Sequence, residues 1–142
     1  MEFDCNTFDA LNADIRFVRE TVFVQEQGFE NEFDETDAQA THLLFRLNGS
    51  PAGCLRYYTE DGKEYHIGRV AVLPEYRKAH LGTQMMRAAE EQISALGAEK
   101  IVLSAQCRVA PFYEKNGYSA VGEIYYDEFC PHIRMEKGVE AK

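Results

Sequence analysis

The stretch Arg77-Lys78-Ala79-His80-Leu81-Gly82-Thr83 crowds two basic residues, a histidine and one glycine between two patterned runs. Before it comes a strand-like run, HIGRVAVLPEY, and after it a helix-like one, QMMRAAEEQISALG. The first N–H groups of a helix have no intrahelical partner, and the positive end of the helix dipole adds to them. Such a corner either holds an anion or is a basic helix start on the surface, and the residue types alone allow both. No GxxxxGK[ST] run is present, so a nucleotide held by a Walker loop is not expected. GxGxxG is missing too, which leaves a dinucleotide fold unsupported.

Thiol and metal chemistry have less behind them. Cys5, Cys54, Cys107 and Cys130 are widely spaced, with no CxxC pair and no Cys/His metal spacing, so no metal site is expected. A hydrolase using Cys107 as nucleophile has no local signature, and a buried or semi-exposed thiol is the simpler reading. With no N-terminal signal pattern in view, four scattered cysteines read as reduced thiols in the cytoplasm. No apolar run is long enough to span a bilayer, so no membrane partner is expected. The net charge of -9 argues against nucleic acid, whose phosphates would be repelled.

The elements that must position these residues follow from pattern. At 142 residues, with 45% hydrophobic and 27% charged content, the chain reads as one soluble domain over 1–142. Phe8, Leu11, Ile15, Val18 and Val22 make the apolar stripe of a helix. An acidic segment follows, with Glu26, Glu30, Glu32, Asp34, Glu35 and Asp37, and reads as a surface loop or short irregular helix. It could attract a cationic amine or simply be a solvated face. THLLFRL, AGCLRYYTE and EYHIGRVAV are β-rich and joined by Asn48-Gly49 and Asp61-Gly62, which predicts three antiparallel strands with tight turns.

Met86, Ala89, Ile93 and Leu96 supply the buried face of a second helix that Gly97 ends. KIVLSAQ is a continuous apolar run, predicting an interior strand covered on both faces. Ala110 to Gly117 forms a short helix with proline in its first turn. The tail supplies two strands separated near Cys130-Pro131. The order α, three β, α, β, α, β, β predicts a mixed α+β fold, a sheet with helices packed against it.

Val72-x-Pro74-x-x-Arg77-x-x-His80-x-Gly82 resembles the V-x-P-x-x-[RQ]-x-x-G-x-[GA] signature of the GNAT acyltransferase superfamily. Further along, Ala110 to Tyr118, APFYEKNGY, is similar to its second signature, A-x-x-F-Y-E-K-x-G-F. Both stand in order, with a helix and a strand between them. IRFVRETVFVQEQGFENEFDETD and GEIYYDEFCPHIRMEK are similar to the ends of the small ElaA-like branch, which extends the match along nearly the whole chain. The resemblance implies a mixed, mostly antiparallel sheet of six or seven strands with helices on both faces. Its fourth and fifth strands, here HIGRVAV and KIVLSAQ, splay apart.

The activity implied is an acetyl-CoA-dependent N-acyltransferase that moves acetyl to a primary amine by direct attack in a ternary complex. An alternative is a catalytically weak acyl-CoA-binding sensor or interaction module on the same fold. Pantetheine amides would pair with the strand edge at Val70, Ala71 and Val72. Pyrophosphate would meet the N–H groups of Lys78, Ala79, His80, Leu81, Gly82 and Thr83, with Arg77 beside them and Phe112 packing under the cofactor.

Tyr113, in the F-Y-E-K context, is the catalytic candidate implied, because a phenol near pKa 10 keeps its proton at neutral pH and can protonate a departing thiolate. Glu26, His66 and His132 are open alternatives for a base or acceptor contact, the resemblance placing Glu26 near the acceptor cleft and His66 on the cofactor strand. His42 begins a strand and reads as structural. His80 departs from the signature's glycine, and histidine is among the residues that tolerate positive φ. The acceptor's identity and the choice between monomer and homodimer stay open.

Overall fold

Asn48 and Gly49 both adopt positive φ, 52° and 84°, and this tight turn joins β2 (Thr41–Leu47) to β3 (Ser50–Thr59) as the dipeptide predicts. The turn from β3 into β4 (Glu64–Val72) is built differently. Only Gly62 is left-handed there (φ 78°), and the Asp61 carboxylate accepts from the N–H groups of Lys63 and Glu64 at 2.8 and 2.9 Å. The computed structural model describes residues 3–139 and adds to these strands β1 (Asp4–Phe8), β5 (Lys100–Gln106), β6 (Ser119–Asp127) and β7 (Cys130–Gly138). The helices are α1 (Ala13–Arg19), α2 (Leu81–Ala95) and α3 (Ala110–Lys115).

One seven-stranded sheet runs in the order β1-β2-β3-β4-β5-β7-β6. Every neighbouring pair is antiparallel except β4 and β5, which run parallel. Strand β1 was not expected. Its sequence, DCNTF, has no apolar alternation, and it is held by pairing with β2 from Asp4↔Arg46 to Phe8↔His42. Phe8 therefore belongs to a strand, and α1 starts only at Asn12, whose side chain accepts the Ile15 N–H at 2.8 Å. Counting β1 makes the fourth and fifth strands those that the resemblance implied.

Two apolar layers sandwich the sheet. Ile15, Val18 and Val22 pack on Leu44, Cys54 and Ala71 on one face. Leu81, Met85, Met86, Ala89 and Ile93 of α2 pack on Leu43, Phe45, Leu55 and Ile67 on the other. Each such buried Leu, Ile or Met contributes roughly 1.5–3 kcal/mol relative to exposure. Leu96 is not in that layer; it follows the last helical residue and is 57% exposed, with Gly97 (φ 90°) beyond it. Gly53 has no room for a side chain, because a Cβ would stand 2.8 Å from Met85 Sδ and 2.9 Å from the Ala71 carbonyl.

Three other boundaries differ from expectation. The β6–β7 turn is at Glu128 (φ 54°) and Phe129, so Pro131 lies inside β7, paired with Tyr126. Strand β5 is covered on both faces at Ile101, Val102 and Leu103 but is exposed at Ser104. Helix α1 widens into a π-helical turn over Glu20–Glu26, with the Gln27 N–H on the Val22 carbonyl at 3.2 Å. Among the described residues no helix is long and apolar enough to cross a membrane.

Candidate active site

The parallel pairing of β4 with β5 begins at Glu64↔Lys100 and stops at Ile67↔Leu103. The cause lies in β4 itself. Arg69 has φ +53°, and the register with β3 shifts between Cys54 and Arg56. An extra residue of this kind bends a strand and resets which face its side chains meet. Tyr65 and Ile67 face the α2 layer, whereas Ala71, an even number of residues away, joins the α1 layer. Val70 to Val72 consequently part from β5, while Ala71 and Val72 remain paired with Cys54 and Gly53 of β3.

A cleft of about 270 Å³ opens between the parted strands. Val70, Ala71 and Val72 form one wall, Leu103, Ser104 and Gln106 the other, and Tyr113 and His132 also line it. The π-helical turn sets Val22 and Phe23 along the rim, and Gln27 beyond it accepts from Gln106 Nε2 at 2.8 Å. Across the mouth, the Glu128 carboxylate accepts the N–H groups of Glu30 and Asn31 at 3.0 and 3.1 Å. Phe129 stacks on Phe29 with centroids 5.1 Å apart, so the β6–β7 turn and the 28–31 loop form one arch.

Beyond the wall of β4 the chain makes a 3-10 turn over Pro74–Ala79 and reaches His80 at φ 57°, ψ 25°. That left-handed residue starts α2, and its imidazole makes no capping bond. The N–H groups of Leu81, Gly82 and Thr83 thus have no intrahelical partner. The Leu81 side chain is fully buried, so it offers an incoming ligand only backbone. Gly82 lies under the Phe112 ring, and a Cβ there would come within 3.1 Å of it. Arg77 does not point toward this helix start. It donates from Nη1 to Glu26 at 2.6 Å and from Nε to the Val72 carbonyl at 3.0 Å. Lys78 makes no ion pair among the described residues and is exposed, and Ala79 is half-buried.

The three proposed bases are placed very differently. The hydrogen bond from Arg77, with the charges of Arg77 and Arg108, holds Glu26 below the usual carboxylate range despite some opposing desolvation. A carboxylate so held is a weak proton acceptor, and it lines a side pocket near Phe129 and Cys130 rather than the cleft. His66 stacks on Tyr58 (4.8 Å, 10°) and stands 3.6 Å from Glu64, in a neighbouring groove. His132 is buried at the cleft, between the rings of Phe29 and Tyr125. Its Nδ1 lies 2.9 Å from the Cys130 carbonyl, which can only accept, so Nδ1 carries the proton and Nε2 is left as the basic nitrogen.

Tyr113 is held by α3, with its ring edge-on to Phe112 (5.0 Å) and Tyr118 (6.1 Å). Burial pushes its phenol well above the ordinary tyrosine value, so it remains protonated across the physiological range. Among the described residues its hydroxyl has no protein hydrogen-bond partner. Cys107 is outside the cleft lining, in the turn after β5, and the buried Cys54 thiol is pushed up to about 12 by desolvation. Among the described residues no cluster of three metal-ligating side chains occurs.

The acidic segment is the main departure from the sequence reading. Arg19, 1% exposed, donates to Glu32 at 2.8 Å and to Asp37 at 2.7 Å. Arg56 bridges Asp34 and Asp37 at 2.7 and 2.8 Å, and Arg69 reaches Glu32 and Asp34 at 3.1 and 3.2 Å. Three guanidiniums thus neutralise three carboxylates, and two of those, Glu32 and Asp37, are buried. His42 joins this network through the Asp37 carbonyl, 3.0 Å from Nε2. The segment is therefore a clamp that fixes Arg69 and the strand bend, and among the described residues the Glu30 and Glu35 carboxylates make no ion pair. Sequence spacing does not show which distant arginines meet which carboxylates, although Gly68 inside a strand pattern hints at the irregularity beside it.

The family model described as "Acetyltransferase (GNAT) domain" matches residues 13–139. The uncharacterized N-acetyltransferase YjcF of Bacillus subtilis (strain 168) is 35% identical over 127 residues, spanning 87% of this chain and 90% of YjcF. The crystal structure of an acyl-CoA N-acyltransferase from Pseudomonas aeruginosa superposes with a TM-score of 0.82 at 28% identity, covering 96% of this chain and 99% of that one. The crystal structure of Escherichia coli ElaA superposes with a TM-score of 0.83 at 25% identity, covering 96% and 99%.

Proposed function

Because the chain belongs to the GNAT acetyltransferase family, we propose that residues 1–142 act as one domain transferring acetyl from acetyl-CoA to a primary amine, by direct attack in a ternary complex. The observation that carries this reading is the parting of β4 from β5 beyond Ile67 and Leu103, with the unpartnered Tyr113 hydroxyl in the gap. The residues present fit the co-substrate. The β4 edge at Val70–Val72, released from β5, can pair with the amides of a pantetheine arm. The start of α2, opened by the left-handed His80, offers backbone N–H groups to a pyrophosphate. Phe112 over Gly82 closes one side of that approach.

When bound, acetyl-CoA supplies the acyl carbon as a thioester with a thiolate leaving group. A lysine-like amine near pKa 10.4 must first lose a proton, which costs roughly 4–5 kcal/mol at pH 7. Nε2 of His132, fixed as the acceptor nitrogen by the Cys130 carbonyl, takes that proton. As the amine nitrogen bonds to the acyl carbon and the carbon–sulfur bond breaks, Tyr113 gives its proton to the sulfur. The acylated nitrogen sheds its second proton, which through solvent restores the Tyr113 phenol, and solvent removes the proton on His132, so the turnover balances as acetamide, free thiol and one released proton. Glu26 positions Arg77, and through it the Val72 end of the β4 wall.

Acetyl-CoA at 100 times its dissociation constant is expected to stabilise the fold by about 2.7 kcal/mol, read as a thermal shift. The absence of both a thermal shift and calorimetric heat at millimolar acetyl-CoA would overturn the reading. Binding without thiol release across a broad amine panel would favour a sensor module instead.

A further inference from the structure

A second groove, of about 420 Å³, lies on the α1 face of the sheet and meets the first cleft at Gly68, Ser104, Asp127 and His132. Strand register defines its floor. Arg56 is paired with Gly68 on β4, and Ser104 of β5 with Arg134 of β7. Gly68 and Ser104 directly follow the last β4–β5 pair, Ile67↔Leu103, so they stand at the point where the strands begin to part. The middle row thus reads Arg, Gly, Ser, Arg, with a small-residue floor between two guanidiniums.

Gly68 is there for space and not for backbone conformation. Its φ lies outside the left-handed region, and a Cβ built on it would meet only Arg56 Nε, at 3.9 Å. That same Nε is the one buried side-chain polar atom among the described residues without a hydrogen-bond partner. Arg56 is itself 6% exposed, and its Nη atoms are occupied by Asp34 and Asp37. A ligand oxygen standing over Gly68 would give this orphan donor its partner. On the far side, Arg134 binds Glu64 through Nη2 and Glu136 through Nε, and among the described residues its Nη1 has no partner. At the throat, Asp127 makes no ion pair among the described residues and lines both clefts beside His132.

We propose that this groove is the acceptor subsite, that Gly68 sets its depth, and that it takes a primary amine carrying an oxyanion, a carboxylate or a phosphate. The inference rests on the transferase reading above. The ammonium meets Asp127 at the throat, next to Nε2 of His132, and the oxyanion lies over Gly68 between Arg56 Nε and Arg134, beside the Tyr125 hydroxyl that meets Ser104 Oγ. Recognition comes from directed N–H groups more than from net charge, because carboxylates already offset both guanidiniums. Charge-assisted bonds of this kind are about twice as strong as neutral ones, which is enough to favour an anion over its ester.

The experiment measures thiol release from acetyl-CoA with matched amines: amino carboxylates, their methyl esters, and aminoalkyl phosphates. The free acids or the phosphates are expected to exceed the esters at least 10-fold in kcat/KM, and the better arm identifies the oxyanion. Gly68→Ala is expected to raise the acceptor KM at least 10-fold with an unchanged KM and thermal shift for acetyl-CoA. Should Gly68→Ala fail to fold, Arg134→Gln is expected to erase the preference for acid over ester. Esters matching both anions, a wild-type acceptor KM in Gly68→Ala, or a preference persisting in Arg134→Gln would each overturn the subsite. Loss of acetyl-CoA binding in the unaltered protein would instead sink the transferase reading.

Discussion

Replacing Tyr113 by phenylalanine removes a single oxygen atom and leaves the ring contacts with Phe112 and Tyr118 in place. Because that hydroxyl has no protein partner among the described residues, its removal strands no donor or acceptor. The stability change should therefore stay within about 1 kcal/mol, or less than about 4 °C in Tm for a chain of this size. Turnover should respond quite differently. Loss of a positioned general acid costs about 10²–10⁴ in rate, equivalent to roughly 2.7–5.5 kcal/mol of transition-state stabilisation.

Thiol release at saturating acetyl-CoA and amine reads kcat, and thermal shift with acetyl-CoA reads binding in parallel. The expected pattern is a kcat lower by at least 100-fold with an undiminished shift. The desolvated phenol stays protonated well above neutrality, so Tyr113 should contribute no limb to the pH–rate profile between pH 6 and 9. A kcat within threefold of the parent, or a loss confined to acetyl-CoA binding, would refute the acid role and leave Tyr113 as a packing residue.

Asp37→Asn leaves Arg19 and Arg56 short of a buried carboxylate, and urea unfolding should show a loss of about 3–5 kcal/mol; a loss below 1 kcal/mol would contradict the clamp. Burial opposes ionisation of Asp37, but bonds from Arg19, the Asp34 N–H and Arg56 outweigh it, and Arg56 lowers Asp34 as well. Both folded-state pKa values lie below those of the unfolded chain. Their stabilisation is thus complete above the unfolded carboxylate range near about 4 and fades as the pH falls through and below it. Glu32, raised chiefly by desolvation, works in the opposite sense and shallows the acid loss, which urea midpoints between pH 3 and 6 would register. Gly82→Ala puts a methyl 3.1 Å from the Phe112 ring, so acetyl-CoA affinity measured by calorimetry should fall while the amine KM holds; an unchanged affinity would remove Phe112 from the cofactor approach.

Much of the frame is legible in residue order because it depends on neighbours along the chain. The periodicity of Met86, Ala89 and Ile93, the Asn48-Gly49 turn, and the Pro111 and Gly117 boundaries of α3 are local consequences of side-chain shape and backbone freedom. The paired motifs around Arg77 and Tyr113 likewise point to one family, and the left-handed His80 follows from what its position demands. Strand β1 escaped because edge pairing needs only backbone, and the five residues DCNTF supply that without an apolar alternation.

What the order of residues could not decide is which distant groups meet. Glu26 reads in sequence as one of three alternatives for a base or acceptor contact, yet Arg77, far along the chain, captures it and lowers its basicity. Glu32, Asp34 and Asp37 read as part of a surface segment, either solvated or open to a cationic amine, and folding instead pairs them with Arg19, Arg56 and Arg69, burying Glu32 and Asp37. A carboxylate enters the interior only when a guanidinium meets it there, and that encounter is a property of the sheet. The same clamp holds Arg69 at the bend that parts β4 from β5. Sequence alone therefore placed the strand, the helix start and Tyr113 within the paired motifs of one family. The tertiary structure decided that Gly68, Tyr113, Asp127 and His132 line one cleft, because only packed elements bring four separate segments to one gap.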